Sequence, residues 1–182
     1  MKKQDSVLSL NLLTKDLQDT ILKCVKESGN IIIAGPSADR NTLVLNEISQ
    51  LTTSYFSYEE FMFVRPDKLE KYRNNLIQFE QSGLESISQA MTLAMRIASG
   101  FSGMDRQRFF CDGIESAEDL ITFLKWADMG YSGHIATMKT IDFDEVIKSI
   151  NTPRVDYRDK IDMIILVEAD AVRITKSKEA AL

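Results

Sequence analysis

The sequence predicts an α/β protein built on a mostly parallel sheet, and three observations carry that prediction. Short β-branched runs such as Asn30-Ile31-Ile32-Ile33-Ala34 alternate with segments whose apolar residues recur at helical spacing, the pattern of buried strands joined by crossover helices. With 182 residues and 44% hydrophobic content, the chain is one globular domain with enough apolar surface for a full core. No repeat of about 20–50 residues, low-complexity stretch or linker divides it.

The elements follow in order. Lys15–Ser28 sets Leu17, Ile21, Leu22 and Val25 on one helical face, with Thr14 as N-cap. The Ile-rich strand comes next and is broken by Gly35-Pro36. A helix over Asn41–Leu51 then carries Leu43, Leu45, Ile48 and Leu51. Aromatic residues predict a strand over Ser54–Tyr58, and charge predicts an exposed helix over Leu69–Gln81. Leu84, Ile87, Met91, Met95 and Ala98 form the apolar stripe of a further helix.

Arg108–Cys111 reads as a short strand. Ser116 with Asp119 opens a helix bearing Leu120, Phe123, Leu124 and Ala127, in the manner of a capping box. Ile135–Met138 is another short strand. Asp142 with Glu145 opens a helix bearing Val146, Ile147 and Ile150. Ile161–Val167 and Val172–Thr175 alternate as an antiparallel pair turning at Ala169-Asp170.

Bulk chemistry excludes several classes. The net charge of −5 lacks the basic footprint of most nucleic-acid binders. Cys24 and Cys111 stand far apart and His134 is the lone histidine, so no zinc site or disulfide framework is expected. The start MKKQDSVLSLNLL has no apolar run long enough for a signal peptide or a membrane span. The expectation is a soluble, cytoplasmic protein.

The strand, turn and helix around IIIAGPSADRNT form the usual setting of a phosphate loop, in which backbone amides and a lysine meet the anion. The pattern is G-x-x-x-x-G-K-[ST], and its eight positions read Gly35, Pro36, Ser37, Ala38, Asp39, Arg40, Asn41 and Thr42. Gly35 and Thr42 are kept. Arg40 stands for the second glycine and Asn41 for the lysine. Asp39 adds a negative charge: two unit charges about 5 Å apart interact by roughly 3 kcal/mol at an effective dielectric of about 20. Tight ATP binding is not expected of such a loop.

Three more segments take their place beside it. Tyr58-Glu59-Glu60 puts two carboxylates after an aromatic run. Arg108-Phe109-Phe110-Cys111-Asp112-Gly113-Ile114-Glu115-Ser116-Ala117-Glu118 joins a hydrophobic strand to a helix. Tyr131-Ser132-Gly133-His134-Ile135-Ala136-Thr137-Met138-Lys139-Thr140 is a Gly-His turn followed by a strand. Together with the loop, and with the strand Ile161–Glu168, they make the chain from Leu10 onward resemble the secretion ATPase superfamily, which drives type II and type IV secretion, conjugation and type IV pili. The similarity is to the C-terminal motor domain; no counterpart of the family's N-terminal domain is found, and 1–182 is expected to be one domain.

The resemblance implies a three-layer RecA-like P-loop NTPase core with a C-terminal antiparallel strand pair. It identifies Glu59 and Glu60 with the acidic box, with both carboxylates kept. Gly113 stands where the family has its Walker B glutamate, and Glu115 where it has an arginine. Asp112 falls one residue early, in reach of Mg²⁺ only if the strand end shifts. Thr137 of the histidine box is retained and Lys139 replaces its sensing histidine, while His134 matches the structural histidine of the turn. The layout is kept and the charged chemistry is gone.

The expectation is therefore a pseudo-ATPase without catalytic residues, metal or cofactor. It would act as a structural or regulatory subunit of a type IV secretion, conjugation or pilus apparatus. Expected partners are other proteins of that apparatus, including an active homologous ATPase, in a homo- or hetero-oligomer reaching the inner membrane only through them. The alternative is a weak or unconventional ATPase that uses Arg40, Asp112 and Lys139 with ATP and Mg²⁺.

Overall fold

A computed structural model describes residues 12–55, 61–64, 76–79, 108–128, 133–151 and 155–176. Helix α1 (Lys15–Lys26) opens at Thr14, whose side chain accepts the Leu17 amide, one of the orphan donors of a helix start. Its end is a Schellman motif: the Ser28 amide reaches Val25 O at 3.1 Å and the Gly29 amide reaches Cys24 O at 2.9 Å. Ser28 takes the left-handed position at φ 59°.

Strand β1 (Ile31–Gly35) is buried along its whole length. It leads into helix α2 (Ala38–Tyr55), which begins three residues before the predicted Asn41 and takes in Ser54 and Tyr55 of the predicted strand at Ser54–Tyr58, the rest of which lies outside the described residues. Ala38 is the best of helix formers and Asp39 suits the positive helix start, so the first turn winds early. Strands β2 (Phe61–Val64) and β3 (Leu76–Phe79) follow. The latter replaces part of the helix predicted over 69–81; the stripe from Leu84 to Ala98 lies outside the described residues.

Strand β4 (Arg108–Ile114) is longer than predicted. Helix α3 (Ala117–Asp128) has a reciprocal capping box: the Asp119 amide donates to Ser116 Oγ at 3.1 Å, and the Ser116 amide to Asp119 Oδ2 at 3.2 Å. Strand β5 (Ile135–Lys139) leads to helix α4 (Phe143–Ile150), where Asp142 accepts the Glu145 amide. A 3-10 turn at Tyr157–Lys160 precedes β6 (Met163–Val167) and β7 (Val172–Lys176).

Among the described residues these strands form one seven-stranded sheet in the order β3-β2-β4-β5-β1-β6-β7. Every neighbouring pair is parallel except β6 with β7, the predicted antiparallel closing pair. Period-2 alternation sorts the side chains into two cores. Ile31, Ile33, Phe110, Ile135 and Ile165 pack under α1 and α2. Ile32, Ala34, Phe109, Cys111, Ala136 and Ile164 pack under α3 and α4. The result is the three-layer α/β architecture expected of the chain.

The N-terminal edge of the sheet is tied by Asn30. Its Nδ2 donates to Lys160 O at 3.1 Å, and its Oδ1 accepts the His134 amide at 3.1 Å. His134 is fully buried, and its Nδ1 accepts the Phe109 amide at 3.2 Å. Its ring lies against Phe109, with centroids 5.0 Å apart. It braces the turn, as the resemblance implies.

Candidate functional site

The site sits at the opposite edge, where the C-terminal ends of β1, β4 and β5 meet the first turn of α2. Ligands of open parallel sheets bind at such edges. Strand β5 lies between β1 and β4, so Gly35, Thr137 and Asp112 arrive from three neighbouring strands.

The loop between β1 and α2 is short, because the helix starts at Ala38. Two amides of the motif's second half are committed internally: Asn41 N–H donates to Ser37 O at 3.0 Å and Arg40 N–H to Ser37 Oγ at 3.4 Å. Asp39 is exposed and Arg40 half-buried. The Arg40 Nε is buried and finds no hydrogen-bond partner among the described residues.

Asn41 is fully buried and points into the protein. Its Nδ2 donates to Gly35 O at 3.1 Å and to Met138 O at 2.9 Å, which joins the ends of β1 and β5 to α2. Its Oδ1 is buried without a hydrogen-bond partner among the described residues. Gly35 is required by this approach: a Cβ there would sit 2.3 Å from Val167 O and 2.7 Å from Asn41 Oδ1.

Beside Asn41, three of the predicted positions come together. Thr42 Oγ1 lies 2.9 Å from both carboxylate oxygens of the buried Asp112. It is also 3.0 Å from Ala38 O, so its one proton is shared among these acceptors. Thr137 Oγ1 donates to Asp112 Oδ1 at 2.6 Å and accepts the Gly113 amide at 2.6 Å.

A β-bulge lies at this point of β4. Cys111 pairs with Ala136 but Ile114 with Met138, so β4 carries one extra residue over that step. Gly113 takes φ 87° there, and the bulge returns Ile114 to the α3 and α4 core while Asp112 faces α2. Lys139 is exposed at the end of β5, level with Gly35 in the parallel pairing.

The acidic-box positions Glu59 and Glu60 lie outside the described residues, and β2 starts at Phe61, after them. Two features of the edge escape sequence reasoning. One is the inward turn of Asn41, which depends on carbonyls from distant strands. The other is Ile141, 96% exposed just past β5, which no apolar pattern singles out.

At position 41, where the motif has its lysine, stands an uncharged amide turned into the strand ends, and the exposed Asp39 adds a carboxylate to the same loop. Among the described residues no group of three or more His, Cys, Asp or Glu side chains could hold a metal ion, and no helix is long and apolar enough to cross a membrane.

The sheet order and the strand-turn-helix unit define the class: a three-layer α/β domain with a mostly parallel sheet. No protein-family model and no curated protein matches the sequence. Solved structures do match. The VirB11 ATPase from the Brucella suis type IV secretion system, in complex with sulphate, is 12% identical with a TM-score of 0.59, over 88% of this chain and 51% of that one. The Legionella pneumophila ATPase DotB is 15% identical with a TM-score of 0.61, over 86% and 46%. The pilus retraction motor PilT with bound ADP is 16% identical with a TM-score of 0.55, over 84% and 48%. The chain thus spans about half the length of these structures. It has the fold of secretion and pilus ATPases, the fold that the motif layout predicts.

Proposed function

We propose that this chain is a catalytically degenerate secretion ATPase-like protein. It serves as a structural or regulatory subunit of a type IV secretion, conjugation or pilus apparatus. The observation that carries this reading is Asn41. At the position of the phosphate-binding lysine stands a buried amide engaged with the protein's own strand ends. Gly113 supports it: the position of the catalytic glutamate is a left-handed bulge residue. A scaffold whose chemistry has been replaced by internal contacts is suited to binding other proteins. Partners are components of the apparatus, including an active homologous ATPase, met in the cytoplasm at the inner membrane. The net charge of −5 disfavours direct contact with nucleic acid.

Two measurements test it together. Purification of the tagged chain from its native host is expected to co-isolate secretion or pilus proteins, and Mg-ATP calorimetry is expected to give no heat of binding. Consistent recovery of no such proteins, or turnover of ATP by the pure chain, overturns the proposal.

One observation favours a second reading, a weak or unconventional ATPase. Thr42 and Asp112, a hydroxyl and a carboxylate suited to Mg²⁺, meet at 2.9 Å. Micromolar Mg-ATP binding abolished by Arg40→Ala would establish it.

A further inference from the structure

We infer that Asn41 is a latch, which holds the strand-turn-helix unit in one closed conformation without any nucleotide. A phosphate loop is normally organised around its anion, through amides and a cation that converge on it. Here the cross-links run inside the protein. The Asn41 amide nitrogen binds the last carbonyl of β1 and a carbonyl of β5, at 3.1 and 2.9 Å. The main-chain amide of the same residue continues the helix to Ser37 O at 3.0 Å. One residue therefore joins β1, β5 and α2 from a fully buried position.

The neighbours agree with a closed state. Thr140 N–H donates to Gly35 O at 3.0 Å, so the carbonyl that Asn41 holds is also the tie between β1 and the residue following β5. The next residue of the helix, Thr42, binds Asp112 of β4, which gives α2 a third strand to hold. Val167 O of β6 closes over Gly35 so tightly that no side chain fits between. These contacts tie α2 to β1, β5 and β4, and the latch holds one rim at this edge of the sheet.

Both donors matter, because the carbonyls they serve are buried. Removing the amide leaves Gly35 O with one partner fewer and Met138 O without its side-chain donor, the situation in which a lost hydrogen bond is expensive.

Backbone amide exchange by NMR on the full chain tests the latch. In Asn41→Ala, exchange at Thr140 and at residues 41 and 42 is expected to accelerate about tenfold or more, the effect of losing hydrogen bonds of this kind. Ile31 N–H is bonded to His134 O at 2.8 Å at the far end of β1 and is expected to change by less than about twofold. Asn41→Ser, which keeps one small donor, is the second variant should the alanine form fail to fold, and its acceleration is expected at the same amides. Thr140 exchange within about twofold of the parent in the folded variant overturns the latch. The test is made without nucleotide and without partners, so its failure leaves the secretion-subunit reading untouched, and failure of that reading leaves the latch untouched.

Discussion

Thr137 on β5 and Asp112 on β4 share a hydrogen bond of 2.6 Å, and the same threonine oxygen accepts the Gly113 amide at 2.6 Å. The Gly113 N–H thus feeds a hydroxyl that in turn feeds a buried carboxylate, and Thr42 closes the other side at 2.9 Å. Chained donors polarise one another in a low-dielectric interior, so the set holds the shifted end of β4 more firmly than separate bonds would.

Replacement of Thr137 by valine keeps the shape and deletes both bonds. Urea unfolding is expected to register a loss of about 1–3 kcal/mol, since a half-buried amide and a buried carboxylate each lose a partner. Thr137→Ser keeps the hydroxyl and is expected to lose less than about 1 kcal/mol, mostly from the missing methyl. Equal losses in the two variants would mean that packing, not the hydroxyl, holds this corner.

Placing a glutamate at position 113, where the resemblance puts the Walker B residue, is not expected to produce an ATPase. Gly113 sits at φ 87°, where any side chain carries a backbone penalty of about 1–2 kcal/mol. Gly113→Glu and Gly113→Ala are both expected to lower stability by about that amount, and neither gains ATP hydrolysis above background in a phosphate-release assay. A fully stable Gly113→Glu protein would show that the bulge relaxes on its own.

Much of this architecture is legible in the sequence, for reasons visible at single residues. Thr14, Ser116 with Asp119, and Asp142 announce their helices because capping is a local interaction. The Ile31–Ala34 run announces a strand buried on both faces. Misreadings fall where distant contacts decide. Leu76–Phe79 lies in a stretch whose charge predicts an exposed helix, yet it pairs with Phe61–Val64 across the sheet. Tyr55 carries the aromatic character of a strand but ends α2 with its ring 4.3 Å under Lys26 Nζ.

The site divides in the same way. That Asn41 replaces a lysine is written in the motif. Its inward turn depends on Gly35 O and on Met138 O, 97 residues away in sequence, and no local rule supplies that.

Gly35 is a further place where backbone meets backbone. A methyl group there would lie 2.3 Å from Val167 O and 3.1 Å from Val167 Cβ. Strands β1 and β6 cannot part without losing their ladder. Gly35→Ala is therefore expected to cost about 3 kcal/mol, the upper end of overpacking penalties. Thermal unfolding checks it, and an unchanged melting temperature would mean that β6 yields at Val167.

The Cys24 thiol is pushed up from 9.0 to about 12, first by burial and then by the negative charges of Asp162 and Glu27. Below pH 9 the thiol is protonated in both the folded and the unfolded chain, so this group's contribution to stability is fully present and flat. Between 9 and 12 the unfolded chain releases the proton that the folded chain keeps, and the contribution is lost as pH rises through that window. Urea titrations at pH 8, 9 and 10 are expected to show a steeper alkaline decline in the parent than in Cys24→Ala, where the group is missing. The same shift leaves on the order of a thousandfold less thiolate than an ordinary cysteine holds at pH 8, so Cys24 is expected to resist Ellman's reagent until urea unfolds the chain. Rapid labelling of Cys24 in the folded protein, located by peptide mass spectrometry, would mean that the end of α1 opens far more readily than its Schellman contacts imply.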